Sequence, residues 1–244
     1  LEFRRVLFRS FGASVHTNIL NNQLLSGATN TASVRFGAVG ATQIDVNGNT
    51  LTLNDGGVLV ASGAGASAII DGIGGGGLVG GAGEVIVHNY GAGGLTISAD
   101  IGGAQSFTHS GTGTTTLAGT NTYSGTSYLN QGTVVIDSLA RLGTGALYLG
   151  GATIEHTGTG LETITRAITL GDSGAVIKMN DPNLVLANKV TIASEANAIA
   201  SYTVNPLSGS LDFTGAGTFT MGDSTAASNV TDLAGVNNTY QGLT

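Results

Sequence analysis

The chain has 244 residues, including 41 Gly and 2 Pro, with no Cys and no Trp; 41% of residues are hydrophobic and 9% charged. That apolar content argues against a disordered linker, which could not offset its ordering entropy by burial, and Gly without a three-residue period and with so little Pro rules out collagen. A formal net charge of −7 argues against nucleic acid as the main partner, absent Cys removes disulfide frameworks and thiolate metal sites, and no apolar run approaches the roughly 18–20 residues of a membrane helix.

In chain order, residues 1–10 read LEFRRVLFRS and hold three of the eight basic residues, with no Gly, Thr or Asn. Taken at face value they form a short basic amphipathic segment. The string also resembles the translation of a sequencing-adapter oligonucleotide, and we set it aside as a non-native leader. Without it the formal net charge falls from −7 to −9. Residues 11–244 read as one elongated unit, incomplete at both ends.

From residue 11 onward, short apolar–polar alternations are separated by Gly-rich turns. They include NTLTLND (49–55), GLTISAD (94–100), TTTLAG (114–119), TVVIDS (133–138), ALYLGG (146–151), AITLGD (167–172), KVTIAS (189–194), SLDFTG (210–215) and TFTMGD (218–223). Period-two alternation of β-branched residues bounded by Gly, Asn or Asp predicts strands. The nearest approach to a helix is LANKVTIASEANAIAS (186–201), whose first half fits the strand series.

Aligning strand cores places Ile97, Leu117, Ile136, Ile154, Leu170, Ile192, Phe213 and Leu233 in one column, with Leu53 two steps upstream of Ile97. The spacing is about 20 residues, the signature of a solenoid whose units bury their faces by stacking. Leucine-rich repeats would need a regular L-x-x-L-x-L-x-x-N frame, which is missing. A parallel β-helix needs short strands, inward aliphatic residues and turns of Gly, Asn, Asp, Ser and Thr. The predicted fold class is therefore all-β, a parallel β-helix with about 20 residues per coil.

The stretch GTGTTTLAGTNTYSGTSYLNQGTVVID (111–137) closely resembles the autotransporter-associated β-strand repeat. The matching positions are Gly111, Gly113, Leu117, Gly119, Asn121, Tyr123, Gly125, Leu129, Gly132, Thr133 and Val134. Departures are Thr115 where an apolar residue is usual, Ser127 where Thr is commoner, and Val134 in place of Leu. LAGVNNTYQGLT (233–244) returns to the motif through Asn238, Tyr240 and Gly242. The resemblance implies a right-handed β-helical passenger region, exported across the outer membrane and displayed or released outside the cell. It also implies repeats that aid folding during export and an outer-membrane translocator barrel missing from this fragment.

Several stretches invite a chemical reading. GDSGA (171–175) matches the nucleophile motif of trypsin-like proteases, with Ser173 as nucleophile. AITLGDSG (167–174) has a counterpart in TFTMGDST (218–225), however, which favours a turn, and His16, His88, His109 and His156 sit in no recognisable His motif. GIGGGG (72–77) satisfies the dinucleotide fingerprint formally, but LVGGAGEVIV follows where a helix is required. A β-helical polysaccharide lyase or glycosidase, the alternative function, would need converging carboxylates; Asp137, Asp172 and Asp212 lie near multiples of the coil period. Single Asp residues after strands (Asp55, Asp100, Asp137, Asp172, Asp223) are more often turn formers. Tyr123 and Tyr240 either stack on sugars or close a coil corner with the hydroxyl on a backbone group, and His88 and Tyr90 read as a strand end. The expectation is a non-catalytic structural or adhesive rod at the cell surface, with no catalytic, metal or cofactor residues and with host or surface glycans or proteins as candidate partners.

Overall fold

Alternation in sequence becomes alternation in burial. In the strand Thr50–Val60, Leu51, Leu53, Val58 and Val60 point inward, while Thr52, Asn54 and Leu59 stay partly exposed. Such strands leave one face to be covered and two edges to be paired. A computed structural model shows how both needs are met; it describes residues 11–65, 67–159, 161–163, 166–171, 175–179, 185–187, 190–203, 207–208 and 211–221. The adapter-like residues 1–10, Ser173, Leu233 and Tyr240 lie outside them.

The chain winds as a β-solenoid in which each strand pairs in parallel with a strand of the next coil. One side stacks His16–Ile19, the second half of Thr29–Phe36, the second half of Thr50–Val60, Glu84–Asn89, Ser106–Ser110, Ser127–Leu129, Leu147–Leu149 and Ile168–Leu170. A second side stacks Gln23–Leu24, Thr42–Asp45, Ala68–Asp71, Leu95–Ile97, Thr114–Leu117, Thr133–Ile136, Thr153–His156 and Ala175–Met179. Val190–Thr203 and Leu211–Met221 each serve both sides in turn, pairing with one another across a register shift between Ser194 and Ala198. The described residues of the segment nearest to a helix in sequence, 186–187 and 190–201, are thus strand.

A third side begins with the first halves of Thr29–Phe36 and Thr50–Val60, followed by Gly77–Gly80 and Asp100–Ile101. At the corresponding place in the next coils stand an extended loop over residues 118–126 and a 3₁₀ turn, Leu139–Leu142. After them the ladder resumes as Leu161–Thr163, Val185–Ala187 and Leu207–Ser208. The repeat-like stretch therefore coincides with the place where one wall has no strand.

Coil length varies more than the sequence spacing suggests. On the first side the step is 17 residues from His16 to Ser33, 29 from Gly57 to Ile86 and 20 from Phe107 to Ser127. The column expected from sequence is correct where Ile97 stacks on Leu117 and Ile192 on Phe213. It fails elsewhere. Ile136 stacks on His156 and Val134 on Ile154, while Leu170 belongs to the first side and faces Ser194. Leu53 faces Gly80, not a member of the Ile97 column, which runs up through Ile70 and Ile44. The physical reason is that period-two alternation fixes which residues point inward but not which inward position of the next strand they meet.

Inward columns make one continuous core. Ile44, Ile70, Ile97, Leu117 and Ile136 line the second side, and Val58, Val87, Leu129 and Leu149 the first, all essentially inaccessible to water. Each fully buried aliphatic side chain is worth about 1.5–3 kcal/mol. Turns between sides are tight enough to demand Gly in places. Gly132 sits at φ +79°, and a side chain there would collide with the carbonyl of Gly111 one coil below. GIGGGG forms a wide turn between Ala68–Asp71 and Gly77–Gly80, with no helix after it.

Candidate binding surface

Asn121, Tyr123, Ser127 and Thr115 of the 111–137 stretch face inward, and the first three hold coils together. Asn121 occupies the wall that has no strand. Its Oδ1 accepts from Ile101 N at 2.9 Å, and its Nδ2 donates to the Arg141 carbonyl at 2.6 Å. One amide thereby bridges the coil before it and the coil after it, at steps of 20 residues each way. Tyr123 completes the corner. Its ring is fully buried with its centroid 6.1 Å from that of Phe107, and its backbone bonds to Ile101 O and Thr144 N. The hydroxyl meets Ser127 Oγ at 2.7 Å, and Ser127 donates onward to the Leu142 carbonyl at 2.9 Å. Burial raises the Tyr123 pKa well above its ordinary value, so the ring stays neutral. Of the two readings of Tyr123, the corner one is right, with Ser127 relaying the hydroxyl to the backbone.

Thr115, the departure from the repeat pattern, belongs to an interior polar cluster. Its hydroxyl accepts from Asn89 Nδ2 at 3.1 Å and lies 3.0 Å from His109 Nε2. Asn89 also donates to Thr114 O and accepts from Gly91 N. With the Asn89 proton already on Thr115, the hydroxyl proton is free to donate to His109 Nε2. His109 Nδ1 reaches no partner in hydrogen-bond geometry. Desolvation lowers the His109 pKa to about 4; the Gln131 backbone opposes that shift, and the His88 charge adds to it. His109 is therefore a neutral core side chain between Val87 and Leu129.

Among the described residues, the remaining chemical candidates do not converge. Asp137 is bidentate to Arg141, at 2.6 Å and 3.1 Å, and that hydrogen bonding is the main cause holding its carboxyl below the usual range. Arg141 also donates to Gly119 O, and Arg166 to the carbonyls of Leu142, Leu139 and Gly143, so both guanidiniums fasten the 3₁₀ turn to its surroundings. Asp137 follows a second-side strand, whereas Asp212 lies on the first side beside Thr191. Asp100 Oδ1 accepts from Thr120 N of the next coil, and Asp55 is exposed on its strand. Asp172 and Asp223 lie outside the described residues. Among the described residues no three His, Cys, Asp or Glu side chains gather as a metal site would require. His16, 2.7 Å from Ser33 Oγ, is exposed on the first coil; His88 and Tyr90 are exposed, and His156 is buried in the second side.

What the outside of the first side does carry is an aromatic pair. Tyr128 and Tyr148 stand in register on adjacent coils, their centroids 5.9 Å apart and their planes inclined by 51°. Thr108 precedes Tyr128 in the same column and donates to Glu84 of the coil before. Neither tyrosine stood out in the sequence reading, yet a signal existed. SYL (127–129) and LYL (147–149) place Tyr between two inward residues, 20 positions apart.

Stacked parallel coils with an inward aliphatic core and inter-coil polar clamps define a β-solenoid rod. No family model matches the chain, and no solved structure matches it. Over 211 residues it is 33% identical to the adhesin BmaC autotransporter of Brucella suis biovar 1 (strain 1330), covering 76% of this chain and 6% of that protein. Fold and relative together make the chain an autotransporter-passenger-like β-helix protein. It spans about 6% of the length of the curated relative it matches.

Proposed function

We propose that the chain is a stretch of an exported rod that extends or forms an adhesive surface outside the cell, with folding-competent coils in place of an active site. The observation that carries this reading is the role of the repeat residues. Asn121 bonds both neighbouring coils directly, and Tyr123 reaches the next coil through Ser127, which donates to the Leu142 carbonyl, so the part of the chain most like a known repeat is a clamp. Similarity to an autotransporter adhesin supports the surface setting. In this reading the coil over 118–137 helps successive coils stack as the chain emerges from the outer membrane, since a stacked coil supplies the template for the next.

The test is display of the chain on Gram-negative cells by fusion to a translocator barrel. Cells displaying it should adhere to an epithelial layer more than cells with the barrel alone. The double variant Asn121→Ala, Tyr123→Ala should reach the surface in at least several-fold lower amount, measured by surface protease accessibility. Equal adhesion with and without the chain removes the adhesive part, and undiminished display of the double variant removes the folding part.

A further inference from the structure

We propose that the outer face of the first side around Tyr128 and Tyr148 is a binding shelf for a neutral saccharide chain. The inference rests on the adhesive reading and gives it a site and a ligand class. Tyr128 is 38% exposed, a high value for an aromatic side chain on a sheet whose inward positions are all filled. Tyr148 stands in register between Tyr128 and Thr169, and two glycines make room for its ring. A Cβ at Gly150 would come within 3.2 Å of its Cε1, and one at Gly171 would collide with its hydroxyl oxygen. Two glycines thus leave room for the ring to lie along the bare backbone of its own coil and the next. Tyr128 then rests against it, so both rings are preorganised before any ligand arrives.

Chemistry around the rings selects the ligand. Asn130, whose Oδ1 lies beside Gly150, offers an amide, and Thr108 with Glu84 offers a hydroxyl and a carboxylate. Amides and carboxylates matched to vicinal hydroxyls, beside aromatic faces that accept C–H groups, are what a pyranose needs for recognition. The strands SFTHS, SYL and LYL carry no Lys or Arg, and Glu84 is acidic, so an anionic glycan is disfavoured. A folded protein partner would need roughly 800 Å² per side with an apolar centre, whereas two tyrosines here are surrounded by Ser, Thr, Asn and Gly. The two ring centroids lie 5.9 Å apart on adjacent coils, comparable to the advance per sugar in an extended β-linked chain.

The experiment titrates the full chain with cellohexaose, chitohexaose and heparin, reading tyrosine fluorescence and heat. The same proteins are coated on beads and scored for epithelial adhesion before and after enzymatic deglycosylation of the cells. Tyr128→Ala should weaken binding of a neutral hexasaccharide at least tenfold while the melting temperature stays at the parent value. Thr96→Ala, on the outer face of the second side, should leave binding unchanged, and heparin should bind no better than buffer. No neutral oligosaccharide binding by the parent at millimolar concentration, equal binding by Tyr128→Ala, or Tyr128-dependent adhesion that survives deglycosylation each overturns the proposal. If parent beads adhere and Tyr128→Ala beads adhere equally, the shelf falls and the adhesive reading stands; if parent beads do not adhere, that reading itself falls.

Discussion

His109 shows how a single residue can carry the consequences of its surroundings. It is neutral because burial disfavours the imidazolium, and its folded-state pKa of about 4 lies below the 6.5 of an unfolded histidine. Between those values the unfolded chain binds the proton and the folded chain does not, so stability rises with pH through this window. At pH 7 the penalty is absent; below pH 4 it is complete, at about 3 kcal/mol for a shift of this size. Thermal melts from pH 7.5 to 4 should therefore show a falling melting temperature, and His109→Leu should flatten that slope. An unchanged slope would mean that the ring is already charged or reaches water. Thr115 belongs to the same account, because replacing it by the apolar residue usual at that point of the repeat would leave His109 Nε2 without its partner, while Asn89 keeps its bonds to Thr114 O and Gly91 N.

At the scale of the element, the coil is the unit of stability and its register the source of error. Leu117 is 1% exposed, stacked on Ile97 below and next to the Val135–Thr116 pairing above. Leu117→Asp places an unpaired carboxylate in that column and should cost at least about 3 kcal/mol. Hydrogen exchange offers the sharper readout. Amides of Leu95–Ile97 and Thr133–Ile136 should lose protection along with Thr114–Leu117, while Thr42–Asp45 stays protected, because each coil contacts only its neighbours. A loss confined to the mutated strand would break the stacking picture. Strand positions were legible in the sequence for Leu95–Ile97, Thr114–Leu117 and Thr133–Ile136, since alternation is a local property. Ile154 and Leu170 were misassigned because alternation fixes which residues point inward but not which inward position, or which side, of the next coil they meet.

Across the whole molecule, the described backbone is parallel strand and turn, with the four-residue 3₁₀ segment Leu139–Leu142 as its helical element. Far-ultraviolet circular dichroism of the full chain should give a single β-type minimum with negligible α-helical signal. A helical spectrum, which the Ala-rich segment 186–201 would produce if propensity prevailed, would refute the architecture. Strand propensity wins there because each turn of the rod offers an edge with unpaired donors and acceptors, and the arriving segment satisfies them by pairing.

Composition and period-two alternation, read alone, established an all-β stack with coils near 20 residues, and the 111–137 motif pointed to an exported passenger. These are local signals, carried by which residues alternate and where Gly recurs. Only the tertiary structure decided that Asn121 and Tyr123 turn inward as clamps, that Thr115 completes a polar cluster with His109, and that Tyr128 and Tyr148 emerge together on one outer face. Those outcomes depend on which residue of one coil lies over which residue of the next. That register is set by the sum of turn lengths and inter-coil hydrogen bonds, and no single stretch of the chain contains it.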